Sequence, residues 1–307
     1  MQRLLTTVTL VGLLVATAAA FAITERLKLT KSAVYGTIID TRFSPTCGCV
    51  HRRASIFFKL RRPDDITVTV LNARGQDVVL LAAQQYPRGP VTLTWNGRDD
   101  GNRRVRDGTY RVRIHLTRQH QTIEFPNRIQ LDTKPPQVVS LEKSRDVFSP
   151  DQDHQADYVR ITYTLSKAAH LAAYLGDTRV LYSRANVKGS VQWFGNGPNG
   201  TLEPGTYTLT VGAVDLIGNS TPVAERARVR VEIRYIRLAN TKIVARAGRT
   251  FEIGVSTDAK RYTWSLGRRK GNSSSPVLRL QAPTTRGRYT LTVSERGHIG
   301  RAAVFVR

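Results

Sequence analysis

The chain has 307 residues, 40% hydrophobic and 23% charged, an ordinary balance for a globular protein and enough length for two or three domains with separate cores. Its charge is not ordinary: 47 Lys and Arg against 23 Asp and Glu give +24, a field that draws in anionic polymers or membrane surfaces and says nothing about fold. Aromatic residues make up 7%, few enough that cores claim most of them, which argues against base-stacking platforms for single-stranded nucleic acid.

The first element is apolar. From Leu4 to Ile23 the chain carries no charge over twenty residues, the length of a membrane-spanning helix. The same run fits a secretory signal, with Arg3 ahead of it and Ala20-Phe21-Ala22 as a small-x-small cleavage site. A removed signal and a retained anchor both stay open. Either one puts the remaining domains outside the cytoplasm, although Arg26, Lys28 and Lys31 count against export, because positive residues favour the cytoplasmic side.

After this helix the patterning is that of strands. Ser55 to Leu60, Ile66 to Leu71, Tyr110 to Ile114 and Tyr207 to Val211 alternate or are β-branched, with turn residues between them at short intervals, which predicts β-sandwiches. Two stretches repeat. Phe43-Ser44-Pro45 returns 105 residues later as Phe148-Ser149-Pro150, and Ile56, Phe58 and Leu60 return as Ile161, Tyr163 and Leu165, the buried face of one strand. Trp95 and Trp193 each open a Gly/Asn-rich loop, and Tyr110 and Tyr207 each follow Gly-Thr at the start of a later strand. A repeat near a hundred residues means two domains of one kind and not a solenoid. Leu131 to Gln137, with Pro135-Pro136, reads as a stiff linker between them. A third unit, with Trp264 and Gly287-Arg288-Tyr289, is short for a full sandwich.

Gly-x-Tyr before an alternating strand is the sequence form of a tyrosine corner, in which the hydroxyl folds back onto upstream backbone. Tyr110, Tyr207 and Tyr289 all fit it, while Trp95 and Trp193 supply apolar area to their cores. The order Phe-Ser-Pro, strand, Trp-Asn-Gly-Arg-Asp-Asp-Gly, Asp-Gly-Thr-Tyr resembles the FlgD-type Ig-like domain, named after flagellar hook-cap proteins. The resemblance covers about 41–141 well and 146–235 with changes at Trp193-Phe194-Gly195-Asn196. It implies a domain type found in secreted bacterial proteins, and it makes the repeated loop a signature of the fold.

Candidate chemistry is sparse. Cys47 and Cys49 are the two cysteines; they read as a local disulfide, as free thiols, or, with His51, as part of a zinc or redox centre. Asp151, Asp153 and Asp157 stand at calcium-like intervals without the Gly and distal Glu of an EF-hand; a solvated turn is the plainer reading. The six histidines are scattered and no hydrolase, zincin or P-loop motif occurs, so no catalytic residue or cofactor is assigned and the chain is read as non-enzymatic. The net charge falls as +2 in 1–40, +9 in 41–141, +2 in 142–240 and +11 in 241–307. Arg226, Arg228, Arg230 and Arg234 on one strand, and Arg268, Arg269 and Lys270 in a Gly/Ser-rich loop, are the candidate polyanion contacts, since alternate strand residues recur about every 7 Å, a spacing able to meet successive phosphates or carboxylates.

The expected architecture is therefore all-β: an apolar N-terminal helix (1–30), FlgD-like Ig-like domains at 41–141 and 142–238, and a small Ig-like domain at 239–307. The expected function is that of a non-catalytic, anchored or secreted cell-envelope protein, a spacer with basic faces for an anionic envelope polymer, lipid headgroups or an acidic protein. Extracellular DNA binding and a redox or metal module at Cys47 and Cys49 are the alternatives.

Overall fold

The computed structural model describes residues 2–29 and 32–307, and within the N-terminal helix the side chains of residues 8–22. Among the described residues, helix α1 (Gln2–Leu29) precedes twenty-six strands. Among the described residues no helix is long and apolar enough to cross a membrane. Arg3, Arg26, Lys28 and Lys31, on which the charge-orientation expectation rests, lie outside the described side chains.

The first module packs two sheets face to face. β1 (Val34–Ile39), β3 (Ala54–Leu60) and β6 (Gly89–Trp95) form one. β2 (Arg42–Phe43), β9 (Ile129–Leu131), β7 (Gly108–Leu116), β4 (Asp64–Leu71) and β5 (Asp77–Tyr86) form the other, with β8 (Gln121–Glu124) beside β7. Ile56, Phe58 and Leu60 point inward as their alternation predicts, and meet Val68, Val70, Val112 and Ile114 in a single core.

The second module repeats this order. β10 (Val138–Lys143) and β14 (Asn186–Trp193) flank the first half of β12 (Val159–Leu175); β13 (Thr178–Tyr182) and β17 (Gly205–Asp215) flank its second half, followed by β18 (Ala227–Ile233) and β11 (Val147–Phe148). β15 (Asn196–Gly197) and β16 (Gly200–Thr201) are a small hairpin in the Trp193 loop. One difference is instructive. In the first module Pro63 separates β3 from β4, since proline gives the ladder no N–H. The second has Ala168 at the corresponding place, so β12 runs through both sheets and shifts register between Thr164 and Ala169.

The third module is complete in spite of its length. β19 (Ile236–Leu238), β21 (Thr250–Thr257) and β24 (Val277–Gln281) face β20 (Lys242–Ala245), β26 (His298–Val306), β25 (Gly287–Glu295), β22 (Tyr262–Leu266) and β23 (Arg269–Ser273). In all three modules an edge strand joins the larger sheet in parallel: β2 on β9, β11 on β18, β20 on β26. The expected boundaries at 41 and 239 each fall one strand late, and the one at 142 falls inside β10. β1, β10 and β19 are the opening strands of the modules they precede, paired with β3, β12 and β21. The expected linker is also shorter, because Pro136 is buried and its carbonyl accepts a 2.6 Å hydrogen bond from Thr221 Oγ1 in the second module.

The repeated motif is one packing unit. Trp95 lies with its ring centroid 5.1 Å from Phe43 and 4.8 Å from Tyr110; Trp193 stands 5.6 Å from Phe148 and 6.5 Å from Tyr207. Both indole N–H groups donate to a carbonyl three residues on, Arg98 at 2.9 Å and Asn196 at 3.0 Å. Two residues after each Trp comes a glycine with positive φ, +75° at Gly97 and +71° at Gly195. A Cβ there would sit 3.2 Å from Pro45 Cγ in the first module and 3.1 Å from Pro150 Cγ in the second, so Phe-Ser-Pro closes over a backbone that leaves no room for a side chain.

The three corner tyrosines donate to the carbonyl four residues upstream: Tyr110 to Arg106 at 2.6 Å, Tyr207 to Glu203 at 2.7 Å and Tyr289 to Thr285 at 2.9 Å. Tyr110→Phe and Tyr207→Phe are each expected to cost their own module about 0.5–1.5 kcal/mol, the net worth of one hydrogen bond. The larger loss belongs to Tyr110, which is buried while Tyr207 is half-exposed. Chemical denaturation of both variants checks this; unchanged midpoints would remove the corner from the stability account. Trp264 does not share the role of the other two tryptophans. It is half-buried over Gly271 at the margin of the third core, on the same face of its strand as the fully inward Tyr262 and Leu266.

Candidate site where the second and third modules meet

The Trp loop of the first module is held by its own acids. Asp99 accepts Arg103 N–H at 2.8 Å, the main cause that holds its carboxyl below the usual range, and Asp100 accepts Leu80 N–H at 3.0 Å. Both lie beside an open cleft of about 720 Å³, but their oxygens serve the loop. The loop is scaffolding.

Cys47 and Cys49 are bonded to each other with their Cα atoms 5.1 Å apart, which takes both sulfurs out of zinc ligation with His51 and leaves neither as a free thiol. The arginine stripe is less uniform than its spacing suggests. Arg228 and Arg230 are exposed, but the Arg226 guanidinium lies 3.9 Å from the Tyr174 ring centroid. Arg234 forms a two-pronged pair with Glu232 at 2.9 and 2.7 Å and donates to Ser256 at 2.9 Å. Arg268, Arg269 and Lys270 are exposed but not in a free loop. Leu266 pairs with Arg269, so Gly267 and Arg268 are a two-residue hairpin turn, with Gly267 at φ +59°.

The acidic loop after Phe148-Ser149-Pro150 is more organised. Its backbone turns left-handed at Gln152, His154 and Ala156. Asp157 is spent on that backbone, accepting Gln152 N–H at 2.8 Å and His154 N–H at 2.9 Å. Asp151 and Asp153 are not grouped with Asp157. They come together instead with Glu295, at the end of β25 in the third module, and the ligand oxygens of the three lie within 4.8 Å of one another. Glu295 was not singled out in the sequence. Its side chain is 4% exposed, and neither its Oε2 nor Asp151 Oδ2 has a hydrogen-bond partner. Burial, with Asp151 sharing the pocket and Asp153 and Asp258 nearby, pushes the Glu295 carboxyl up to about 7. Asp258, which accepts a hydrogen bond from Ser149 Oγ, is also raised by burial.

Other contacts hold the two modules at this place. The Tyr235 and His298 rings are stacked with centroids 3.4 Å apart, and Arg296 donates to the Asp151 carbonyl at 3.3 Å. The Arg296-Gly297 turn that carries Glu295 and His298 has positive φ at both positions, 43° and 89°, as a type I′ hairpin turn requires.

The FlgD Ig-like domain family matches residues 52–120. Over these residues the first module is similar to a FlgD-type Ig-like domain. Its match spans β3 to β7, the strands that carry the Trp loop and the Tyr110 corner. No curated protein sequence matches the chain. Among solved structures it is similar to an I-band fragment of titin, at 12% identity over 90% of this chain and 99% of that one, with a TM-score of 0.33. It is similar to the fibronectin(III)-like modules of Clostridium thermocellum CbhA at 14% identity over 66% and 93%, TM-score 0.36. FlgD from P. aeruginosa matches at 15% identity over 51% and 99%, TM-score 0.24. Ig-like and FlgD-type modules suggest a non-catalytic structural or binding spacer.

Proposed function

We propose that the chain is a membrane-anchored cell-envelope spacer, in which α1 enters lipid and the Ig-like modules hold basic surfaces out toward an anionic envelope polymer. The observation that carries this is the state of α1. Val8, Leu10, Leu13, Leu14 and Phe21 are 63–70% exposed, and residues 8–22 carry no charged side chain on any face. A helix that is apolar all round belongs in a core or in a membrane. The described side chains are fewer than a span needs, but the uncharged run from Leu4 to Ile23 is long enough.

The basic surfaces supply the second half of the reading. Arg228 and Arg230 on β18, and Arg268, Arg269 and Lys270 at the β22–β23 hairpin, are exposed, and the net charge of the last segment is +11. Binding of this kind weakens as salt rises, because each neutralised anionic group releases condensed counterions. Replacing Arg268, Arg269 and Lys270 together with Ser is expected to flatten the salt dependence of binding to anionic polymer or vesicles. All three residues are exposed, and the bond lost is that from Arg269 to the Gln281 carbonyl at 3.1 Å on the neighbouring sheet, so the fold is retained. Equal, salt-independent retention of wild type and variant would reduce the protein to a passive spacer.

A further inference from the structure

We propose that Asp151 and Asp153 of the second module and Glu295 of the third form a calcium site that fixes the angle between the two modules. The donors are all carboxylate oxygens, which suits a hard cation and not zinc, whose sites favour nitrogen and sulfur. Opposed ligands across calcium stand about 4.6–5.2 Å apart, twice a 2.3–2.6 Å bond, and across magnesium about 4.0–4.2 Å. The three oxygens here span no more than 4.8 Å.

The acids alone would be an acidic patch. What makes them a site is Glu295, nine-tenths buried, with Oε2 unpartnered beside the equally unpartnered Asp151 Oδ2. Two buried carboxylate oxygens facing each other need a proton or a cation between them. Arg296 Nε, 3.9 Å from Glu295 Oε1, is a weak counter-charge on an exposed side chain, against three carboxylates with Asp258 close by. The backbone is already set to receive an ion: Asp151 Oδ1 and Asp153 Oδ1 each accept one loop N–H, at 3.2 and 2.6 Å, which orients both side chains. Because the ligands come from two modules, a bound ion would tie the acidic loop to the β25–β26 hairpin, and removing it would release that tie. The loop at the corresponding place in the first module carries Thr46, Gly48 and Arg52 at the three Asp positions and its own disulfide.

The test is calorimetric titration of calcium chloride into the EDTA-treated full chain in mild detergent, with thermal unfolding in calcium, magnesium and EDTA. One ion is expected to bind with Kd of about 10⁻⁴–10⁻³ M, in the range of extracellular modules. About 10 mM calcium should then raise the unfolding midpoint of the second and third modules by about 4–8 °C. Glu295→Gln should abolish both heat and shift. If that variant fails to fold, Asp153→Asn, a milder change on a half-exposed residue, carries the readout. No binding heat and no shift would overturn the proposal, leaving the two oxygens to share a proton. So would an equal response to magnesium, or a calcium shift that survives in the folded variants.

Discussion

Asp215→Ala is expected to lower the stability of the second module by about 3–5 kcal/mol, the cost of breaking a buried ion pair from one side. The Asp215 side chain is 4% exposed and pairs with Lys167 at 2.7 Å. Its Oδ1 accepts the N–H groups of Ile217, Gly218 and Asn219 at 3.0, 2.9 and 2.9 Å, and its Oδ2 takes the Asn219 amide at 2.9 Å. Alanine would leave those donors without their shared acceptor, and would take this carboxylate from the half-buried Lys167 ammonium, which keeps the Lys134 carbonyl. Lys167→Met should cost less, because the backbone donors would still hold the carboxylate. Burial alone would raise this acid, but the bonds from Lys167, Asn219 and the backbone outweigh it and hold the carboxyl below the usual range. A folded-state value below the unfolded one gives stability that is present above the unfolded pKa, about 3.9, and lost as pH falls through the folded value. Denaturation curves at neutral pH and near pH 3 should therefore show the gap between wild type and Asp215→Ala narrowing in acid. A gap that stays constant would mean the side chain acts by packing alone.

Trp95→Ala and Trp193→Ala are each expected to cost about 3–5 kcal/mol, the range for removing a large aromatic side chain from a packed core. Both residues are 1% exposed, and each fills the space between its Phe-Ser-Pro segment and its corner tyrosine. Each substitution also leaves the carbonyl its indole had bonded, Arg98 or Asn196, without that donor. The two tryptophans belong to separate cores, so each variant should weaken one module and leave the other unchanged. Hydrogen exchange resolved by peptide would separate these outcomes. Loss of protection in both modules from one substitution would contradict independent repeats.

The sandwich modules were legible because large aromatics, prolines and glycines mark positions that only they can fill. Phe43, Trp95, Gly97 and Tyr110 meet in one cluster, and the same types recur at Phe148, Trp193, Gly195 and Tyr207. The opening strands β1, β10 and β19 were missed because they pair with strands that follow a loop, a partnership that local pattern does not encode. The third module seemed too small because β19 and β20 have only three and four residues each. The arginine stripe looked uniform because Tyr174 and Ser256, which meet Arg226 and Arg234, lie on other strands, and because Glu232, the two-pronged partner of Arg234, was passed over on the same strand.

The junction acids show where a signal was present and passed over. Leu291 and Val293 face inward, and the same alternation places Glu295 inward at the strand end. Val211 and Ala213 lead to Asp215 in the same way, and Asp64 precedes Ile66 and Val68 on the inner face of β4. Asp64 is fully buried and accepts Arg118 N–H at 2.9 Å and the Gln119 amide at 3.0 Å, closing the end of β4 against the chain that leaves β7. A carboxylate at the inward end of an apolar alternation marks a cap or a site. Which of the two it is depends on the donors that fold around it. Asp215 finds an ammonium and three N–H groups; Glu295 finds two more carboxylates.

The measurement closest to the central claim is extraction of membranes from cells making the full chain, compared with a version starting at Ser32, by high-pH carbonate and then by detergent. Carbonate strips proteins held by charge alone, which a chain of net charge +24 would otherwise mimic. An anchored spacer predicts that the full chain stays in the carbonate-washed pellet and leaves only with detergent, while the shortened version is released. Release of the full chain into the carbonate supernatant would contradict anchoring by α1.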